Sequence, residues 1–243
     1  MSARSSLATL RSAAATALVG LAVAPLGYRW LRRWGATDAE LALALPGDEL
    51  CPTAAVVHTR AVTVDAPPEA VYPWLTQIGQ DRSGFFSYTW LENLFGCRMP
   101  EVHELRPEWA ERHVGDHVLM AAPDRFGGKA YNAIAQVFPG KALVAVAPPD
   151  LARLAGCESA TWVWQFAVRP GPEPGTTRLV VRSHYLHPQY PLEPVHFVME
   201  RKLLLTIARL AAAAHHGGAP GERVGRGPID LSVEQRAAEA RPG

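Results

Sequence analysis

The chain has 243 residues, with 24 Lys and Arg against 23 Asp and Glu and a formal net charge of +1. This length is enough for one well-buried core with appendages. The near balance of charge excludes the broad basic surface by which many proteins hold nucleic acid, so no nucleic-acid partner is expected. The three widely spaced cysteines, Cys51, Cys97 and Cys157, argue against a disulfide framework or a zinc knuckle.

The N-terminal region carries a hydrophobic segment, Ser12–Tyr28, of 17 residues without a charge. As a helix it would be about 26 Å long, close to the roughly 30 Å hydrocarbon core of a bilayer. Trp30 and Trp34 follow it, where interfacial aromatic residues belong. Three interpretations stay open: a retained single-span anchor, a signal peptide ending in Ala22-Val23-Ala24, and a buried or surface helix.

We favour the anchor, as residues 1–34. Pro25 would stand directly after the signal-peptide cut and hinder the peptidase, whereas the basic and aromatic residues after the segment suit a retained span. Arginines flank both ends, and the cluster at Arg29, Arg32 and Arg33 favours a membrane-associated protein with a cytoplasmic main domain.

A short helical linker is predicted over residues 35–55. Thr37-Asp38-Ala39-Glu40 forms a capping box, so a helix should begin there, run to about Leu45 and end at Pro46-Gly47. The sequence leaves open whether this linker packs on the main domain.

The main domain, residues 56–214, begins with a strand and an amphipathic helix. Arg60–Val64 alternates polar and apolar residues, as a strand does. Asp65 is placed to cap the next helix, whose apolar face is Val71, Trp74, Leu75 and Ile78. Five further strand candidates at about ten-residue spacing indicate antiparallel pairing: His117–Ala121, Tyr131–Phe138, Ala142–Ala147, Thr161–Val168 and Thr177–Tyr185.

A long apolar helix, Pro194–Ala214, closes the domain. Its apolar residues recur at helical spacing and cover most of its circumference, which is typical of a helix that a sheet wraps. Residues 215–243 are rich in Gly, Pro and charged residues and are predicted to form a flexible tail.

The chain resembles the SRPBCC superfamily in the order of its elements. These are the first strand, the DAPPEAVYPWLTQIG helix, the SYTWLEN loop, TWVWQFAV, TRLVVRSHY and the FVMERKLLLTIARL helix. This is the START-like, helix-grip group often labelled polyketide cyclase/dehydrase and lipid transport. The resemblance covers about residues 56–214. It implies an α+β fold in which a seven-stranded curved antiparallel sheet surrounds the C-terminal helix, with a deep apolar cavity between them. It implies no particular activity, because one fold serves many functions.

Ligand-binding candidates come from strand parity, from the closing helix and from the aromatic loop. Parity places Trp162 and Trp164 on one face, and turns Arg182 and His184 towards solvent. The predicted cavity wall is Trp162, Trp164, Leu179, Val181, Met199 and Leu203, and the predicted mouth is Phe86, Tyr88, Trp90 and Asn93. The alternatives are a plain core for the tryptophans and a satellite cluster for the loop.

A cyclase or dehydratase needs a base at the cavity and a hydrogen-bond donor for the developing enolate oxygen. His184 is the candidate base, and Tyr88 or Asn93 the candidate donor. Glu200 is predicted to form a surface ion pair. No metal or cofactor is expected, because His113 and His117 do not share a helical face and no dinucleotide or phosphate-loop motif is present.

The sequence therefore predicts a membrane-tethered protein that binds or transports a hydrophobic small molecule or lipid. One alternative is a polyketide cyclase/dehydratase-like enzyme. The other is a non-catalytic, membrane-associated interaction protein whose cavity is filled.

Overall fold

Six strands, whose side chains alternate between the two faces, form one curved antiparallel sheet. The computed structural model describes residues 27–188 and 192–217. The strands are β1 (Val56–Val64), β2 (His117–Leu119), β3 (Tyr131–Phe138), β4 (Ala142–Val146), β5 (Trp162–Pro170) and β6 (Thr177–Tyr185). Their order across the sheet is β1-β6-β5-β4-β3-β2, so β1 crosses over to pair with the last strand.

The prediction of seven strands is wrong, because the described part of the chain has six. The seventh strand came only from the family resemblance, whereas the alternating patterns in the sequence number six. The stretch before β2 contains Pro100 and Pro107, which cannot donate ladder hydrogen bonds, and its only regular element is a 3₁₀ turn, Pro107–Trp109.

The helices are α1 (Asp38–Ala42), α2 (Pro68–Thr76), α3 (Thr89–Leu94), α4 (Asp150–Ala155) and α5 (Glu193–His215). Residues 27–32 are also helical, and 3₁₀ turns occur at Asp48–Leu50 and Phe126–Gly128. The long α5 packs against α2 and β1 on the concave face of the sheet. This arrangement is consistent with the predicted helix-grip architecture.

The core fills the space between the concave face and these two helices. The face predicted from strand parity is the one that points inward, and Phe166 pairs with Val181 across the sheet while Val168 pairs with Leu179. Trp74 on α2 is 2% exposed and joins the same cluster. Asp65 does not cap α2, because the helix begins after Pro67 without a side-chain cap.

Residues 35–55 cover the opposite, convex face of the sheet. The capping box at Thr37 is present, although α1 ends at Ala42, three residues before the predicted end. Leu45 packs there against Ala61 and Val180. Gly35 lies so close to β1 that a Cβ would stand 2.1 Å from the carbonyl oxygen of Ala61, so the linker fits tightly onto the sheet.

Most of the predicted anchor, Ser12–Tyr28, lies outside the described residues, and so does the predicted tail beyond residue 217. Within residues 27–188 and 192–217, no helix combines the length and the apolar character that crossing a bilayer requires.

Candidate functional site

A cavity of about 640 Å³ lies between the concave face of the sheet and the first half of α5. Aromatic rings form much of its wall, namely Phe85, Trp162, Trp164 and Tyr185. Its volume is within the range of about 300–1,000 Å³ that is typical of small-molecule sites.

The mouth of the cavity is apolar. Phe95, Met120, Leu192 and Val195 line the cavity and are also exposed to solvent. Exposed apolar residues that form one contiguous rim, unlike scattered ones, indicate a surface that meets a ligand, a partner or a membrane. We call these four residues the apolar rim.

Four of the six residues predicted as cavity wall line the cavity: Trp162, Trp164, Met199 and Leu203. The other two, Leu179 and Val181, are 0% and 1% exposed and belong to the packed core. The cavity therefore occupies the end of the sheet where Trp162 pairs with Tyr185, and the core fills the remainder.

The residues predicted at the mouth lie elsewhere. Phe86 is buried against Trp74, with ring centroids 5.9 Å apart. Trp90 is 68% exposed, Tyr88 lies under the Lys202 ammonium, and Asn93 donates a 3.0 Å hydrogen bond to the carbonyl of Met99. None of these four lines the cavity.

Backbone conformation explains this displacement. Phe86 has a φ of 53°, in the left-handed region that non-glycine residues seldom adopt. This turn shifts which residues of the loop and of α3 face inward. As a result Phe85, Ser87, Leu91, Glu92 and Phe95 line the cavity instead.

His184 lies on the convex face, as parity predicts, but it is 7% exposed and Arg182 is 4% exposed, so the prediction that they face solvent is wrong. The covering segment buries both beside Asp48, whose carboxylate lies 3.0 Å from His184 Nε2 and accepts a 2.6 Å hydrogen bond from Arg182 Nη1. Burial acts to raise the pKa of Asp48, but hydrogen bonds from His184 and the Leu45 amide outweigh it and lower that pKa to about 2.

The predicted catalytic residues therefore do not meet at one site. His184 is on the far side of the sheet from the cavity, while Tyr88 and Asn93 belong to α3 and its start. A different set of polar residues meets at the cavity wall.

Glu200 is the centre of that set, and the prediction that it forms a surface pair is wrong. It is 3% exposed, pairs with the Arg60 guanidinium, and accepts a 2.9 Å hydrogen bond from Trp164 Nε1. Burial acts to raise the pKa of Glu200, but the charge of Arg60 and the hydrogen bonds from Arg60 and Trp164 outweigh it, so the pKa is lowered and the carboxylate stays ionised.

Tyr185 and His196 extend this group along the wall. The Tyr185 hydroxyl lies 3.3 Å from His196 Nδ1, and His196 Nε2 lies 3.7 Å from Glu200 Oε1. Burial and the Glu200 charge raise the pKa of Tyr185 to about 12, whereas burial and the Arg60 charge lower that of His196. A neutral imidazole therefore stands beside a protonated phenol at neutral pH.

A second buried carboxylate, Glu193, lies one turn of α5 away from His196. Arg32 donates two hydrogen bonds to it, of 3.0 and 2.8 Å. His58 Nε2 is 3.7 Å from Glu193 Oε2 and has no hydrogen-bond partner among the described residues. Burial, followed by the Arg60 charge, lowers the pKa of His58 to about 3, so its ring is neutral.

A third carboxyl group on the wall, Glu92 of α3, differs from these two. It is 7% exposed, and in the part of the chain that the structure describes its Oε2 atom has no hydrogen-bond partner. Burial and the nearby Glu101 carboxylate raise the pKa of Glu92 to about 7. Its protonation state therefore changes near neutral pH.

Periodicity could have revealed part of this site. Glu193, His196 and Glu200 stand at i, i+3 and i+7, on one face of α5. His58 and Arg60 share the inward parity of β1, but the strand was predicted to begin only at Arg60. Polar residues repeated on an otherwise apolar face were the available signal.

The fold and the site together define an α+β protein in which a curved antiparallel sheet holds a long C-terminal helix beside an open apolar cavity. No family model matches the chain, and no curated protein matches it. Among solved structures, the chain is similar to a protein from Nitrosospira multiformis, with 16% identity over 63% of this chain and 94% of that one and a TM-score of 0.38.

Two other solved structures are similar at the same level. One is a protein from Mesorhizobium loti, with 19% identity over 63% of this chain and 95% of that one and a TM-score of 0.34. The other is a polyketide-cyclase-like protein from Corynebacterium glutamicum, with 13% identity over 76% of this chain and 97% of that one and a TM-score of 0.29. Function has to be argued from the cavity.

Proposed function

We propose that the protein binds a hydrophobic small molecule or lipid in the cavity between the sheet and α5. The observation that carries this proposal is the cavity itself, about 640 Å³ with largely aromatic and aliphatic walls. A ligand that loses about 300 Å² of apolar surface gains about 7 kcal/mol before the costs of association. The few polar groups on the wall would orient it.

The binding test uses a variant of α5 that fills the cavity. Leu203 lines the cavity and is 2% exposed, whereas Leu205, on the same helix, is 39% exposed and does not line it. Titration of the full-length protein with N-phenyl-1-naphthylamine, an uncharged apolar probe, should show saturable binding. Leu203→Trp should abolish it and Leu205→Trp should not. Probe binding unaffected by Leu203→Trp would contradict the proposal.

The same proposal includes membrane tethering through the N-terminal hydrophobic segment. The evidence that supports tethering is the position of the first described residues. The Trp30 ring lies 5.3 Å from that of Phe197, and Arg32 bonds to Glu193, so this part of the chain lies against the first turns of α5. Leu192 and Val195 of the apolar rim are at the same end of α5. An anchor preceding residue 27 would begin beside the cavity mouth.

The test of this arrangement measures transfer of the naphthyl probe from lipid vesicles to the full-length protein. Phe95→Asp, in the apolar rim, should slow transfer several-fold, because the mouth could no longer insert among lipid chains. Phe138→Asp is the matched control, since Phe138 is exposed and pairs with Ala142 at the end of the sheet opposite Trp162. Equal transfer rates for the two variants would count against a membrane-facing mouth.

A second candidate function is proton transfer on a polyketide-like substrate. It is favoured by the row formed by Tyr185, His196 and Glu200, in which a neutral imidazole could accept a proton and a phenol could donate one. The test is conversion of a model poly-β-keto thioester by the wild-type protein. Loss of conversion in His196→Gln, with naphthyl binding retained, would support it.

The filled-cavity alternative predicts no pocket above about 300 Å³. A cavity of about 640 Å³ does not meet that condition. A purely structural interaction module is therefore not the function we propose.

A further inference from the structure

We propose that the ligand of this cavity is an amphiphile with a basic nitrogen, and that Glu92 selects it by forming an ion pair with that nitrogen. This inference rests on the proposed binding function. It goes beyond it by assigning a charge to the ligand and a residue to its recognition.

The first step is that most other polar groups on the wall already have partners within the protein. Ser87 Oγ donates to the Met199 carbonyl at 3.0 Å, and Thr161 Oγ1 bonds to the Asp150 carboxylate. Glu200 pairs with Arg60, and Glu193 pairs with Arg32. The deep end of the cavity therefore has two carboxylates matched by two guanidinium groups, and presents no uncompensated charge to a ligand.

Glu92 is the exception. It forms no ion pair within residues 27–188 and 192–217, and no lysine or arginine of that part of the chain lines the cavity. The ionisable group that most affects it is the carboxylate of Glu101, which has the same sign. Cys97 stands nearby on the same wall, and burial raises its pKa, so it is an uncharged thiol.

A carboxyl group buried without a partner destabilises the folded protein, because it loses its hydration and gains no interaction in return. Groups of this kind, in a cleft, are candidates for function. An ammonium group on a ligand would supply both the missing charge and up to three hydrogen-bond donors, one of which could reach Oε2. The alkyl or aromatic part of the ligand would then lie along Phe85, Trp162 and Leu203.

The strength of this preference for a positively charged ligand depends on pH. Burial and Glu101 raise the pKa of Glu92 to about 7, so the carboxylate fraction rises about tenfold between pH 6 and pH 8. An alkylamine stays protonated up to about pH 10. Burial lowers the pKa of His58 to about 3, so that imidazole stays neutral over this range, and burial also lowers the pKa of His196. His187 also faces the cavity, so His187→Asn is included as a control.

The experiment compares octylamine, 1-octanol and octanoic acid, which share one alkyl chain and differ in charge. Each competes with N-phenyl-1-naphthylamine for the full-length protein in nanodiscs of zwitterionic lipid, with empty nanodiscs as the blank. At pH 8 the wild type should bind octylamine at least about tenfold more tightly than octanoic acid. The preference should decrease about tenfold at pH 6 and persist in His187→Asn.

Glu92→Gln removes the charge and keeps the shape. It should bring octylamine to the affinity of 1-octanol and leave 1-octanol within twofold of wild type. Glu92→Met serves as a second neutral variant should Glu92→Gln not fold, and Glu92→Asp should retain part of the preference. An octylamine preference that survives in Glu92→Gln, or a wild type that prefers octanoic acid, would overturn this inference and leave the proposed function standing. Failure of all three compounds and of the probe to bind would overturn both.

Discussion

The two faces of β6 both carry polar side chains, but these side chains border different surroundings. On the convex face, Arg182 and His184 are buried under residues 35–55 and bond to Asp48. On the concave face, Tyr185 points to an open cavity and contacts His196. Buried polar groups that a chain segment closes off serve stability, whereas those beside empty space are available to a ligand.

The largest expected loss of stability comes from Arg60→Met, on the concave side of the sheet. This change leaves Glu200 ionised, buried and without its counter-charge, and should destabilise the protein by about 3–5 kcal/mol. Urea denaturation would measure it. The double variant with Glu200→Gln should recover most of the loss, and the absence of any recovery would show that Arg60 acts through other contacts.

The next largest loss of stability is expected from Asp48→Asn, on the convex side of the sheet. The folded-state pKa of Asp48 is lowered to about 2, so the stability it contributes is present above about pH 4 and is lost as pH falls towards 2. At pH 7 the variant should be about 1–2 kcal/mol less stable than wild type, and the difference should disappear near pH 2. A difference in unfolding free energy that does not change with pH would contradict this origin.

Trp162→Ala should weaken binding of the naphthyl probe about tenfold, because it removes aromatic surface from the cavity wall. His184→Ala is the matched change across the sheet and should leave affinity within about twofold. The probe titration under Proposed function measures both. Equal losses in the two variants would mean that the two faces of the sheet are not functionally distinct.

The smallest effect is expected from Trp90→Ala. Trp90 is 68% exposed and does not line the cavity, so probe affinity and unfolding free energy should both stay within experimental error. A clear loss of affinity would place Trp90 at the ligand in solution and would revise the position of the mouth.

Strand parity and helix periodicity predicted most of the fold. The inward set of Trp164, Phe166 and Leu179 follows from alternation alone, and the capping box at Thr37 follows from a local four-residue pattern. Such signals are reliable because the residues that create them are neighbours in the chain. The count of seven strands, by contrast, came from resemblance and had no pattern of its own.

The site was harder to predict because it depends on contacts between distant parts of the chain. Parity placed His184 on the convex face, but the sequence could not show that residues 35–55 cover that face. The left-handed turn at Phe86 redirects α3, and no residue type there signals it, since such turns favour glycine. Glu200 looked like a surface residue because its partner Arg60 is 140 positions away.

The attachment of the first described residues has a mechanical consequence. Arg60 Nε donates a 2.8 Å hydrogen bond to the carbonyl of Leu31, and Arg32 donates one to Glu193. The chain is therefore bound to the cavity wall within a few positions of Gly27. Leu31 and Arg32 are thus held in a fixed orientation relative to the opening of the cavity.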